Sequence, residues 1–164
     1  MHDSKAIGTR PEGKLDRRQI LAGTGVAAGA MIWMQAARSQ RPSANESANV
    51  EVVNAFCAAW SSLDLSQVTA LMSEDAVYRM TETTPPITGH QALIDQMQPW
   101  VDTSDAITFR ILETFAKGPL VVNHRVDTFS STTRPLTWEG VGVFLVQDGR
   151  IKEWFDYTIQ VDRG

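Results

Sequence analysis

From Ala106 to Ile159 the chain reads as β-strand with only short interruptions. Four runs, Ala106 to Phe115, Leu120 to Phe129, Leu136 to Val146 and Arg150 to Ile159, carry the β-branched and aromatic residues typical of strands. The breaks between them are too short for a parallel crossover, which takes a dozen residues or more, so neighbouring strands must run antiparallel. The last break, Gln147-Asp148-Gly149-Arg150, predicts a two-residue hairpin, because Asp-Gly suits a type I′ turn. Long strands must bury one face of the sheet they form. The only segments available to cover that face lie upstream.

Those segments read as helices. From Asn49 to Ser62, Val50, Val53, Cys57 and Trp60 recur at helical spacing, with Val52, Phe56 and Ala59 beside them. Asp64 is placed to cap a second, shorter helix carrying Leu65, Val68, Leu71 and Met72. "DAVYRM" predicts a short strand, Pro85-Pro86 and Gly89 a loop, and "HQALIDQMQPW" a third helix ending about Trp100 or Val101. Helices first and a long meander after is an α+β pattern, a curved antiparallel or mixed sheet wrapped on three N-terminal helices. The element order resembles the cone-shaped nuclear transport factor 2-like (SnoaL-like) fold. That resemblance implies an internal cavity, and a fold by itself does not define an activity.

Alternation along the strands places charge where a core would be apolar. In "VVNHRVDTF", Val121, Asn123, Arg125, Asp127 and Phe129 share one face. In "KEWFDYTIQ", Trp154, Asp156 and Thr158 share a face, and in "AVYRM" Tyr78 falls with Met80. If these faces line one cavity, it holds two carboxyl groups, a guanidinium and a phenol. Burial raises a carboxyl pKa, a guanidinium lowers it, and a like charge pushes a pair apart. A protonated carboxylic acid beside an ionised one is an acid–base couple at neutral pH.

"HRVDTF" together with "WFDY" is similar to the paired motifs of the limonene-1,2-epoxide hydrolase family, and the match runs from about Val50 to Ile159. The resemblance implies one-step addition of water to a small apolar epoxide. In it Asp156 is the general base, Asp127 the general acid, Arg125 the bridge between them, and Tyr78 the residue that positions water. Met80, Met97, Trp100, Phe144 and Trp154 are expected to wall the pocket. One position departs from the family, which has an asparagine two residues after the tyrosine where this chain has Met80. A thioether donates no hydrogen bond and is a weak acceptor.

Other classes are constrained by absence. From Arg38 onward there are 10 Lys and Arg against 16 Asp and Glu, a net charge of −6, which argues against nucleic acid and against an anionic membrane surface. The one cysteine, Cys57, excludes an intramolecular disulfide and a cysteine-based zinc cluster, and its apolar helical setting predicts a small buried hydrophobe. No phosphate-binding glycine loop, metal-ligand cluster or Gly-x-Ser-x-Gly elbow occurs, so neither a cofactor nor a metal is expected. Two rival functions share the same residues. One is an isomerase or cyclase of the ketosteroid isomerase or polyketide cyclase kind, with Asp156 as carbon-acid base. The other is a non-catalytic exported binder of an apolar ligand, which Met80 favours. The family resemblance further implies a homodimer joined through the outer sheet face.

Upstream of the helices lies a different kind of segment. Arg17-Arg18 precedes an uncharged run from Gln19 to Ala37, diluted by Gly23, Thr24, Gly25, Gly29 and Gln35. It resembles a bacterial twin-arginine export signal. The expected organisation is a signal at 1–37, a polar linker at 38–47 and an epoxide-hydrolase-like catalytic domain at 48–164. The partner of the first segment is then the export machinery, and the destination is periplasmic or extracellular. If the run is retained it is just long enough for a membrane anchor, since about 20 helical residues span a bilayer.

Overall fold

The computed structural model of the chain describes residues 42–161, so the expected signal at 1–37 lies outside the described residues. Helix α1 (Ala44–Ala59) opens on a capping box: Ser43 Oγ accepts from the Glu46 amide at 3.2 Å, and the Ser43 amide donates to Glu46 at 2.7 Å. It therefore starts inside the stretch read as a polar linker, because Ser43 and Glu46, polar as they are, form the helix's own cap. Its buried residues Val53, Phe56 and Cys57, continued by Trp60 in a following 3₁₀ turn, make one inward stripe. Asp64 caps the short α2 (Leu65–Thr69), accepting from the Ser66 amide at 2.9 Å.

Strand β1 (Met72–Arg79) starts earlier than "DAVYRM" suggests and ends just before Met80. The region read as a plain loop contains a two-residue strand, β2 (Ile87–Thr88), before helix α3 (His90–Asp102). The meander follows as β3 (Ala106–Lys117), β4 (Leu120–Ser130), β5 (Leu136–Gln147) and β6 (Arg150–Gln160). Asp148 and Gly149 have φ of 50° and 72°, the two positive values that a type I′ hairpin requires.

The six strands lie in the order β2-β1-β6-β5-β4-β3, antiparallel throughout except that β1 runs parallel to β6. The sheet is mixed, curved and unclosed, and the helices cover its inner face. Phe56 of α1 is the hub of the core, with its ring 4.9 Å from Trp154, 5.8 Å from Phe144 and 6.1 Å from Trp60, all edge-on. Such edge-to-face contacts add about 0.5–1.5 kcal/mol each to the burial of the rings. Among the described residues no helix is long and apolar enough to cross a membrane.

Candidate active site

Register across the meander converts sequence parity into neighbours. Directly opposed antiparallel residues point to the same face, so the pairings give inward rows. Phe109, Asp127 and Trp138 form one row, Ile111, Arg125, Gly140 and Thr158 the next, and Thr114, Asn123, Gly142 and Asp156 the third. A fourth, Val121, Phe144 and Trp154, continues onto Tyr78 of β1. The two carboxylates thus stand two rows and two strands apart, with β5 between them.

Arg125 spans that gap. Its Nε donates to both oxygens of Asp127, at 2.9 and 3.0 Å. Nη2 donates to Asp156 Oδ1 at 2.7 Å, and Nη1 to Asn123 Oδ1 at 3.1 Å. Asp156 Oδ1 also accepts from the Trp154 indole at 2.7 Å. Arg125 is 1% exposed and each carboxylate 5%, so all three groups lie inside the fold. The guanidinium crosses β5 where that strand has no inward side chains. A methyl group at Gly142 would overlap Arg125 Nη1, and one at Gly140 would overlap the Tyr157 carbonyl. Glycine inside a strand marks this kind of close approach.

The electrostatics follow from burial. Burial pushes the Asp127 carboxyl up to about 6 against the pull of Arg125, and it raises Asp156 as well. Burial by itself lowers the Arg125 value, but the two carboxylates outweigh it and hold the guanidinium above its ordinary value. One cation with one carboxylate and one carboxylic acid leaves the buried trio neutral, which desolvation favours. Asp156 is the better anion because two strong donors, Arg125 and the Trp154 indole, meet it, whereas Asp127 has Arg125 alone. The proton of the couple therefore belongs on Asp127.

Both carboxylates open onto one apolar pocket. Tyr78, Met80, Met97, Trp100, Phe109 and Trp138 are among its walls, together with Phe129, Trp154, Thr81 and Thr158. The space between these side chains, counting the open mouth, is about 510 Å³. Tyr78 stacks on Trp154 with ring centroids 4.0 Å apart, and burial, reinforced by Asp156, keeps its hydroxyl protonated well beyond the ordinary range.

The structure places Asp156, Asp127, Tyr78, Met80, Met97, Trp100 and Trp154 on one pocket, with Arg125 bonded to the two carboxylates. It moves one residue. Phe144 is not a pocket wall: it is fully buried, lies parallel to Trp154 with centroids 6.2 Å apart, and forms part of the floor beneath Arg125. Its inward parity is correct, but Trp154 lies between it and the pocket row. Sequence reasoning missed Phe109, Thr81 and the roles of Asn123, Gly140 and Gly142. The Gly-Val-Gly inside a strand was the available signal for the last two. His124 faces outward and contacts Glu139 at 3.1 Å. Cys57 is buried, its thiol pushed up by burial to about 11, and it accepts from Asn123 at 3.4 Å. Among the described residues no group of three or more His, Cys, Asp and Glu side chains gathers as metal ligands do.

Comparison with known proteins gives the family of the domain. Residues 53–154 match the family described as SnoaL-like domain. The chain is similar to an M. tuberculosis LEH-like epoxide hydrolase, at 27% identity over 70% of this chain and 84% of that one, with a TM-score of 0.59. It is also similar to a candidate SnoaL-like polyketide cyclase from Jannaschia sp. CCS1, at 15% identity over 73% and 90%, TM-score 0.63. A candidate polyketide cyclase from Xanthomonas campestris pv. campestris aligns at 20% identity over 70% and 92%, TM-score 0.61. The two cyclase likenesses show the fold alone. No curated protein sequence matches the chain.

Proposed function

The chain belongs to the SnoaL-like domain family, and from that premise we propose that it hydrates a small apolar epoxide in one step. The observation that carries this reading is the single guanidinium bridging Asp127 and Asp156 at the base of an apolar pocket. The similarity to an LEH-like epoxide hydrolase supports it.

In the proposed reaction Asp156 removes a proton from water as the water oxygen bonds to one epoxide carbon. The C–O bond at that carbon breaks, and Asp127 gives its proton to the departing ring oxygen, leaving a vicinal diol. Asp156 is then protonated and Asp127 ionised, and one proton returned from the first to the second through solvent resets the pair. Arg125 offsets the charge in both states. Asp156 Oδ2 accepts no hydrogen bond from the described residues, which leaves it available to water. Styrene oxide, cyclohexene oxide and limonene oxide are suitable probes. Asp156→Asn and Asp127→Asn should each lower diol formation by about 10²-fold or more while the fold survives. Hydration at the parent rate by either variant would refute the two-carboxylate mechanism.

One observation favours a second reading, a non-catalytic pocket for an apolar ligand. Met80 directly follows Arg79, the last paired residue of β1, and lines the pocket together with Asp156. A thioether there offers water no donor. Probe binding without any diol, in the parent and in Met80→Asn alike, would establish that reading.

A further inference from the structure

We infer that Thr158 is a second water-holding residue of this site, and the inference rests on the hydration reading above. Water attacking an epoxide needs more than a base. Its lone pair must be aimed, and one carboxylate oxygen does not fix the orientation of a water molecule. Three hydroxyl side chains line the pocket, those of Tyr78, Thr81 and Thr158. The Thr81 hydroxyl is already engaged, 2.6 Å from that of Thr84 and 3.3 Å from that of Thr83. The hydroxyls of Tyr78 and Thr158 meet no hydrogen-bond partner among the described residues, yet both residues are at least partly buried. Both side chains line the pocket, so each hydroxyl keeps its hydrogen-bonding capacity for a group that enters it.

Placement distinguishes Thr158 further. It stands two residues beyond Asp156 on the same face of β6, about 6–7 Å along the strand. Through Gly140 it lies in the row of Arg125, between the row of Asp156 and the row of Asp127. Its methyl group packs where a Gly140 side chain would be, with Cγ2 2.9 Å from that missing Cβ position. The row between general base and general acid is where the attacking oxygen and the opening ring meet. Tyr78, whose strand neighbour is Trp154, flanks Asp156 from the other direction. Two uncommitted hydroxyls thus bracket the base, and Met80, which lines the same pocket, contributes none. Tyr78 and Thr158 each hold the water while Asp156 Oδ2 takes its proton.

Thr158→Val removes the hydroxyl and keeps the shape, and Thr158→Ser keeps the hydroxyl. With styrene oxide, Thr158→Val should lower kcat about tenfold, the worth of one neutral hydrogen bond, with KM nearly unchanged. Thr158→Ser should restore most of kcat. Both variants should keep the parent's thermal midpoint, and Thr158→Ala serves if the valine variant does not fold. A parent that hydrates the probe alongside a Thr158→Val variant of equal kcat overturns the role of Thr158 and leaves the hydrolase reading standing. A change confined to KM also overturns it, since that would make Thr158 a substrate contact. A parent that forms no diol overturns the hydrolase reading and this inference together.

Discussion

Asp127 and Asp156 are the same residue type on the same sheet, and their surroundings give them opposite roles. Two donors converge on Asp156 and Arg125 alone meets Asp127, so one proton shared by the pair resides on Asp127. Turnover requires that proton, which fixes a sign. As pH rises through about 6 Asp127 loses it, and kcat/KM for hydration should fall on the alkaline side. Asp127→Asn should retain only a small residual rate that lacks this fall. Stability should change in the same direction. A carboxyl held above its ordinary 3.8 contributes stability in full below that value, and the contribution is lost as pH rises through about 6. Asp156, also raised, acts in the same sense. Thermal midpoints from pH 4 to 7 together with the rate profile test this: a profile flat across pH 6 would place the proton elsewhere. At this scale the sequence was informative, because parity put Arg125 with Asp127 and Asp156 with Trp154 on shared faces, and the family resemblance pointed those faces inward. It did not show which carboxylate has the extra donor, since the Trp154 indole reaches Asp156 only through its side-chain conformation.

Strand β5 contributes to the site mainly through what it lacks. Arg125 on β4 reaches Asp156 on β6 only because Gly140 and Gly142 leave the inner face of β5 bare between Trp138 and Phe144. Gly142→Ala should drive the guanidinium off line. Overpacking of this kind costs about 1–3 kcal/mol of stability, and misplacement on the scale of an ångström can cost about 10²-fold in turnover. Chemical denaturation and diol formation measure the two effects, and a Gly142→Ala protein with parent stability and turnover would show that Arg125 does not depend on that gap. Element boundaries divide into legible and illegible for a physical reason. The four long strands and the Asp148-Gly149 turn follow from local chemistry, and so were read closely. The start of α1 was misplaced because a capping box is made of polar residues that look like linker. Strand β2 was missed because a two-residue strand exists only by pairing with β1. The demotion of Phe144 from wall to floor likewise depends on packing depth, which alternation does not encode.

At the scale of the molecule, the sheet has two faces with different demands. On the outer one a row of Phe115, Val122, Val143 and Phe155 crosses four strands, beside Val141 and Tyr157. Phe115 is 57% exposed and Ile159 75%. We expect a second copy of the chain to cover this face, as the family resemblance implies; sedimentation should give a dimer, and Val143→Glu a monomer. A parent that sediments as a monomer at micromolar concentration would contradict it. The inner face is the concern of the central claim, that water is added directly to an epoxide by two carboxylates. That claim has a direct measurement: a single turnover of styrene oxide by excess protein in ¹⁸O-labelled water, followed by mass analysis of both diol and protein. One-step hydration puts the label in the diol and none in the protein, and Asp156→Asn forms almost no diol in the same time. Label recovered in a carboxylate of the protein, or no diol from a parent that binds the probe, would contradict it.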